Sequence, residues 1–205
     1  MKEFLPYDSL RIDSLKLAHK IYQEDKFVPD VIYTLLRGGA YVANVISEYY
    51  KVALKKHKPV LYAAVVARSY TDVSRNAAVR IDGWTYSPDY LRAGDKVMLV
   101  DDIFDSGKTL NYLVGIFLEK GVPRENIKVV VHDYKVYKWK EPLPIQPDYW
   151  CRKFEVARPE DDIWINYNSH ELVGLTANEL EENFYKNYPE LRGILGPLFE
   201  DEQSL

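Results

Sequence analysis

Carboxylates, hydroxyls, a glycine and a lysine crowd one short stretch of the chain: Lys96-Val97-Met98-Leu99-Val100-Asp101-Asp102-Ile103-Phe104-Asp105-Ser106-Gly107-Lys108-Thr109-Leu110. Four apolar residues without alternation, Val97 to Val100, suit a strand buried on both faces of a parallel sheet. Residues 105–109 then form a tight turn opening a helix. Gly107 lets the backbone approach a ligand closely, and the free amides and dipole of the helix favour an anion. Ser106, Lys108 and Thr109 add hydroxyl donors and a positive charge at the same spot. A phosphate fits there, beside carboxylates able to hold hydroxyl groups or Mg²⁺. Gly107-Lys108-Thr109 would also end a Walker A loop, but that motif needs a glycine where Asp102 stands.

The whole stretch resembles the phosphoribosyl-diphosphate (PRPP) signature of type I phosphoribosyltransferases: an apolar strand, two acidic residues, two apolar residues, then Asp-Ser/Thr-Gly-x-Thr. The resemblance implies transfer of the 5-phosphoribosyl group from PRPP to a purine nitrogen, with pyrophosphate and a nucleoside monophosphate as products and Mg²⁺ as cofactor. It gives Asp101 and Asp102 the ribose hydroxyls and the metal. It gives Asp105 the purine N7 proton and residues 105–109 the 5′-phosphate, with Asp105, Ser106, Gly107, Lys108 and Thr109 all in contact with PRPP.

Weaker matches stand in the order expected of the 6-oxopurine (hypoxanthine/xanthine-guanine) branch of that family. Arg37-Gly38-Gly39, between a strand and a helix, resembles the first loop, whose amides hold pyrophosphate and in which the Arg37–Gly38 bond would be a non-proline cis peptide. Ser69-Tyr70 resembles the start of a catalytic loop closing over the site, here a polar stretch over about 68–88. Lys135, just past a strand, resembles the lysine that meets the purine O6. Trp164 resembles the aromatic that stacks on the base, and Ile165 the residue whose backbone meets the base edge. Where relatives carry an acidic residue for a second metal, this chain has His170 and Glu171, so Glu171 serves only with a one-residue shift.

Composition narrows the alternatives. At 205 residues, 47% of them hydrophobic, the chain has material for one domain with a full core. A net charge of −4 gives no electrostatic case for nucleic acid as the main partner. Cys151 is the only cysteine, which excludes an internal disulfide and suits a reducing, cytoplasmic setting. No apolar run approaches membrane-spanning length. A homo-oligomer is expected. Three competing classes remain in view: a PRPP-binding regulator, a transferase for a non-purine acceptor, and a non-catalytic assembly subunit. The last usually has eroded acidic residues, and these are intact.

The elements that must position these residues follow from periodicity. Residues 8–25 read as a helix, 31–36 as a buried strand, and Val42, Val45 and Ile46 start a second helix. Residues 59–67 form a strand, and Trp84 and Tyr86 pack a returning one. The helix after the signature runs to about Lys120 with Gly121 closing it, and 127–131 is the next strand. Thr176-Ala177-Asn178-Glu179 is a capping box opening a helix to about Tyr188. Pro189, Gly193, Gly196 and Pro197 break the tail after it. The alternation is that of an α/β, doubly wound, mostly parallel sheet. The resemblance adds a small hood from the C-terminal part, all in a single domain over 1–205, with a core at about 25–135 and a base-binding hood with the C-terminal helix at about 136–205.

Overall fold

The computed structural model describes residues 2–55, 58–69 and 79–200. Its strands are β1 (Lys2–Leu5), β2 (Val31–Leu36), β3 (Leu61–Ser69), β4 (Val79–Trp84), β5 (Val97–Phe104), β6 (Ile127–Tyr137), β7 (Tyr149–Val156) and β8 (Trp164–Tyr167). Its α-helices are α1 (Tyr7–Gln23), α2 (Ala40–Ala53), α3 (Lys108–Glu119), α4 (Ala177–Leu180) and α5 (Arg192–Glu200). The chain divides into two compact units, Asp8–Asp162 and a smaller one of Met1–Tyr7 with Ile163–Leu205.

The larger unit is built on a six-stranded sheet in the order β4-β3-β2-β5-β6-β7. All pairs are parallel except β3–β4, which is antiparallel. Unbroken apolar runs place β2 and β5 in the middle, because a central parallel strand buries both faces. On one face Tyr33, Leu35, Val65, Leu99, Val129 and Val131 pack with Leu110, Leu113, Val114 and Phe117 of α3. Ile32, Met98, Val100 and Val130 point the other way and are equally buried. Each such side chain contributes about 1.5–3 kcal/mol. The doubly wound, mostly parallel α/β sheet read from the sequence is the one observed.

Several boundaries differ. Strand β5 continues through Asp101 and Asp102 to Phe104, and β6 continues past Val131 to Tyr137. Their ladder runs on through Asp101↔Val131, Ile103↔Asp133 and Phe104↔Tyr134. Backbone pairing is indifferent to where the apolar run stops, so the strands outlast their hydrophobic signal. Lys135 is therefore inside a strand, not just past one. Strand β4 occupies part of the expected polar stretch 68–88 and pairs Ser69↔Val79 with β3. Tyr70 and residues 71–78 lie outside the described residues. Trp84 packs on Tyr33 and Phe117, with ring centroids 5.3 and 5.9 Å apart, as a returning strand requires.

Strand β7 pairs with β6 in the main sheet, so much of 136–162, grouped with the hood on sequence grounds, belongs to the larger unit. Its backbone finds a partner distant in sequence, which local pattern does not reveal. In the smaller unit β1 pairs parallel with β8, a strand missed for the same reason. The capping box at Thr176 is formed: Glu179 N donates to Thr176 Oγ1 at 3.3 Å, and Thr176 N to Glu179 Oε2 at 2.8 Å. Helix α4 runs into a π-helical turn, Glu181–Tyr185. The tail expected to be broken by Gly193, Gly196 and Pro197 instead forms α5. Leu195 packs into a cluster with Leu175, Leu180, Phe184 and Tyr185, and tertiary packing outweighs poor helix propensity.

Candidate active site

Strand β2 delivers the first loop. The cis peptide is Leu36–Arg37, one bond earlier than the Arg37–Gly38 position expected. Gly38 and Gly39 follow and lie against the end of β5. A Cβ on Gly38 would collide with the carboxylate of Asp102. A Cβ on Gly39 would stand 2.5 Å from Val100 O and 2.8 Å from Asp101 Cα. Neither contact is sterically open to a side chain, so the double glycine brings the loop onto the diacid. Gly39 N donates to Leu35 O at 3.0 Å and also reaches the Asp101 carboxyl. Helix α2 starts here without a side-chain cap. Ala40 N donates to Arg37 O at 3.1 Å, and the amides after it in the first turn are those that a helix start offers to an anion.

Asp102 is buried and Asp101 half-buried at the end of β5. Asp102 N donates to Asp101 Oδ1 at 3.0 Å. Burial first, and then the neighbouring Asp102 charge, push the Asp101 carboxyl well above the usual carboxylate range, against opposing bonds from the amides of Asp102 and Gly39. Two carboxylates held this close suit a cation, and one or two carboxylates completed by substrate phosphates is the donor set Mg²⁺ prefers. Among the described residues no group of three or more His, Cys, Asp or Glu is placed to hold a metal.

The glycine turn at 105–109 follows. Gly107 has φ +70° and caps α3 without any side-chain bond, so the first-turn amides of α3 are open, with Ser106, Lys108 and Thr109 around them. A Cβ on Gly107 would strike the Phe104 ring. Gly107→Ala is expected to cost about 1–2 kcal/mol from the left-handed backbone alone, with the ring clash added. Thermal unfolding should show it as a fall of about 2–4 °C in Tm per kcal/mol, and PRPP affinity should fall with it. An unchanged Tm would mean the turn relaxes freely.

The other end of the site lies on β6. Lys135, only 6% exposed, places Nζ 2.7 Å from Asp162 Oδ1. Tyr137, two residues on and so on the same strand face, donates through its hydroxyl to Asp105 and lies 3.1 Å from Asp162 Oδ2. Burial, then Asp105, then Asp162 raise the Tyr137 phenol far above its ordinary value. Burial alone would raise the Asp162 carboxyl, but Lys135 and Tyr137 bring it below the usual range. A cleft of about 450 Å³ is lined here by Asp105, Ser106, Lys108, Lys135, Tyr137 and Lys140, among others. Asn111 of α3 ties down the loop closing the cleft through paired bonds with Ile145, at 2.8 and 2.9 Å.

Asp105, Ser106, Lys108 and Lys135 are thus brought to one cleft. Arg37, Gly38, Gly39, Asp101 and Asp102 meet at the adjoining strand ends. Ser69 ends β3. Trp164, 62% exposed, and Ile165, buried, sit on β8 in the smaller unit. Glu171 lies there too, its Oε2 accepting from Tyr167 N at 3.4 Å. Asp133 is wholly buried and accepts from Arg152 Nε at 2.6 Å and Nη2 at 3.0 Å, joining β6 to β7. The Cys151 thiol is pushed by burial up to about 12, which removes it as a nucleophile. Sequence reasoning missed Tyr137 and Asp162. A strand extended to Tyr137 would have flagged the first by alternation, whereas nothing local signals the second.

Comparison with known proteins decides the family: the phosphoribosyl transferase domain matches residues 6–160. The chain belongs to that family. Among curated relatives, this phosphoribosyltransferase is similar to the bifunctional protein PyrR of Brevibacillus brevis, 26% identical over 147 residues, 71% of this chain and 78% of that one. Among solved structures it is similar in fold to a purine phosphoribosyltransferase of Pyrococcus horikoshii, with a TM-score of 0.62 and 21% identity, covering 85% of this chain and 97% of the other. It is also similar in fold to the xanthine-guanine-hypoxanthine phosphoribosyltransferase of Helicobacter pylori, with a TM-score of 0.57 and 20% identity, covering 93% and 99%. Among the described residues no helix is long and apolar enough to cross a membrane.

Proposed function

We propose that this phosphoribosyltransferase transfers the 5-phosphoribosyl group of PRPP to a 6-oxopurine, hypoxanthine or guanine and by extension xanthine, giving the nucleoside monophosphate and pyrophosphate in purine salvage. The observation that carries this is the single cleft in which a buried lysine, Lys135, faces the same space as Asp105 and the phosphate turn. Cleavage of the C1–O bond to pyrophosphate builds positive charge on the ribose and negative charge on the leaving group. The ribose hydroxyls lie against Asp101 and Asp102, the 5′-phosphate in the turn at 105–109, and the pyrophosphate at the uncapped start of α2. Asp105 takes the N7 proton as the purine nitrogen bonds C1. Lys135 donates to O6. By the resemblance to the 6-oxopurine branch, Trp164 would stack on the base and Ile165 offer its backbone to the base edge, and Ser69 and Tyr70 would help to exclude water. Mg²⁺ would be held by Asp101 and Asp102, with Glu171 a candidate for a second ion, and when bound it neutralises pyrophosphate charge.

The name of the B. brevis relative, a bifunctional protein, supports a second reading: a PRPP-binding regulator or a transferase for a non-purine acceptor. Incubation with PRPP, Mg²⁺ and a panel of hypoxanthine, guanine, xanthine, adenine and uracil, reading pyrophosphate and nucleotide, separates the two. Lys135 is a donor, so adenine, whose C6 amino group also donates, should be used about ten- to a hundredfold less well than hypoxanthine. Lys135→Ala should erase that ratio. Equal use of adenine by the wild-type protein, or preferred use of uracil, would overturn the purine assignment.

A further inference from the structure

Resting on the transfer reaction proposed above, the geometry points to Tyr137 and Asp162 as positioning residues that join the proton-accepting Asp105 and the base-anchoring Lys135 into one hydrogen-bonded unit. The Tyr137 hydroxyl lies between two carboxylates, donating to Asp105 and standing 3.1 Å from Asp162 Oδ2. It has one hydrogen to give, and burial with two adjacent anions keeps the phenol protonated. Asp162 is already balanced by the Lys135 ammonium at 2.7 Å, so that hydrogen serves Asp105. Asp105 is exposed, and without this bond its carboxylate would sample several rotamers. Lys135, in turn, has a buried stem and an ammonium directed by Asp162, which leaves its remaining N–H donors aimed by the same carboxylate that touches Tyr137. The spacing between the O6 donor and the proton acceptor is therefore set by Tyr137 and Asp162, not by either substrate-facing residue alone.

The hydroxyl can be removed without disturbing the packing. The Tyr137 ring is contacted by Trp139, with centroids 5.0 Å apart, and by Lys140, whose Nζ lies 3.5 Å over the ring. Tyr137→Phe keeps both contacts. With PRPP, Mg²⁺ and hypoxanthine, Tyr137→Phe should lower kcat about ten- to a hundredfold, the usual cost of a misplaced reacting group, with KM for the base within about threefold. Asp162→Asn should instead raise KM for hypoxanthine about tenfold or more, because Lys135 loses the partner that aims it. The double variant should lose less in kcat/KM than the product of the single losses. Thermal unfolding of each variant shows that it is folded, and ¹³C NMR of ring-labelled tyrosine gives a readout without turnover. The Tyr137 signal, identified by its loss in Tyr137→Phe, should move in both Asp105→Asn and Asp162→Asn. Wild-type kinetics for Tyr137→Phe, single losses that simply multiply, or a signal unmoved by either substitution overturn the relay and leave the transfer reaction standing. A wild-type protein that turns over no base overturns the transfer reaction and the relay together, so the wild-type control separates the two failures.

Discussion

Asp105→Asn is expected to lower kcat by about 10²–10⁴, the range general acid–base catalysis supplies, with PRPP affinity little changed. The carboxylate leaves β5 directly ahead of the phosphate turn and lines the cleft with Lys135. An asparagine fills the same space and its Oδ1 still accepts from Tyr137, so the fold should persist. What it loses is the ability to take the purine proton. Steady-state kinetics with saturating PRPP and base, paired with calorimetric titration of PRPP, separate loss of chemistry from loss of binding. Near-normal turnover in the variant would remove Asp105 from the mechanism. A parallel collapse of PRPP affinity would move its role to the ribose.

The paired substitution Asp101→Asn with Asp102→Asn should have opposite effects on binding and on stability. PRPP·Mg²⁺ affinity should fall at least tenfold, because carboxylates that would accept from the ribose hydroxyls and hold the metal are gone. The unliganded, metal-free protein should become more stable near neutral pH. A carboxyl whose folded value is raised, as that of Asp101 is by burial and then by Asp102, binds its proton more tightly folded than unfolded. Its contribution therefore turns unfavourable as pH rises above the ordinary carboxylate range near 4, and grows until the folded group ionises. Neutral amides remove that penalty. Each kcal/mol recovered should read as about 2–4 °C in Tm, and the gain should vanish in acid, where the wild-type carboxyl is protonated in both states. Calorimetry showing unchanged PRPP·Mg²⁺ affinity, or a Tm that falls at pH 7, would sink this role for the pair.

Some of the protein was legible from the order of residues alone. Val97 to Val100 and Val31 to Leu36 announced buried parallel strands because unbroken apolar runs have nowhere else to go in a covered sheet. Asp105 to Thr109 announced a tight glycine turn opening a helix, because the left-handed backbone at Gly107 and the uncapped start of α3 are local properties. Capping at Thr176 was legible for the same reason. Each of these is decided by neighbours a few residues apart.

Tertiary structure decided what depends on distant partners. The Cβ-free approach of Gly38 and Gly39 to Asp101 and Asp102 exists only because β2 lies beside β5. The extension of β6 to Tyr137, the pairing of β7 and the union of β1 with β8 follow from backbone hydrogen bonds that ignore side-chain polarity. Most consequential for the chemistry is the linkage of Asp105, Tyr137, Asp162 and Lys135. The sequence itself supplied Asp105 and Lys135 as separate candidates, one in a turn and one just past a strand, with nothing to join them. Only the register of β5 against β6, and the return of the chain to Asp162, brought one phenol between two carboxylates, because side-chain hydrogen bonds depend on distances that no local pattern encodes.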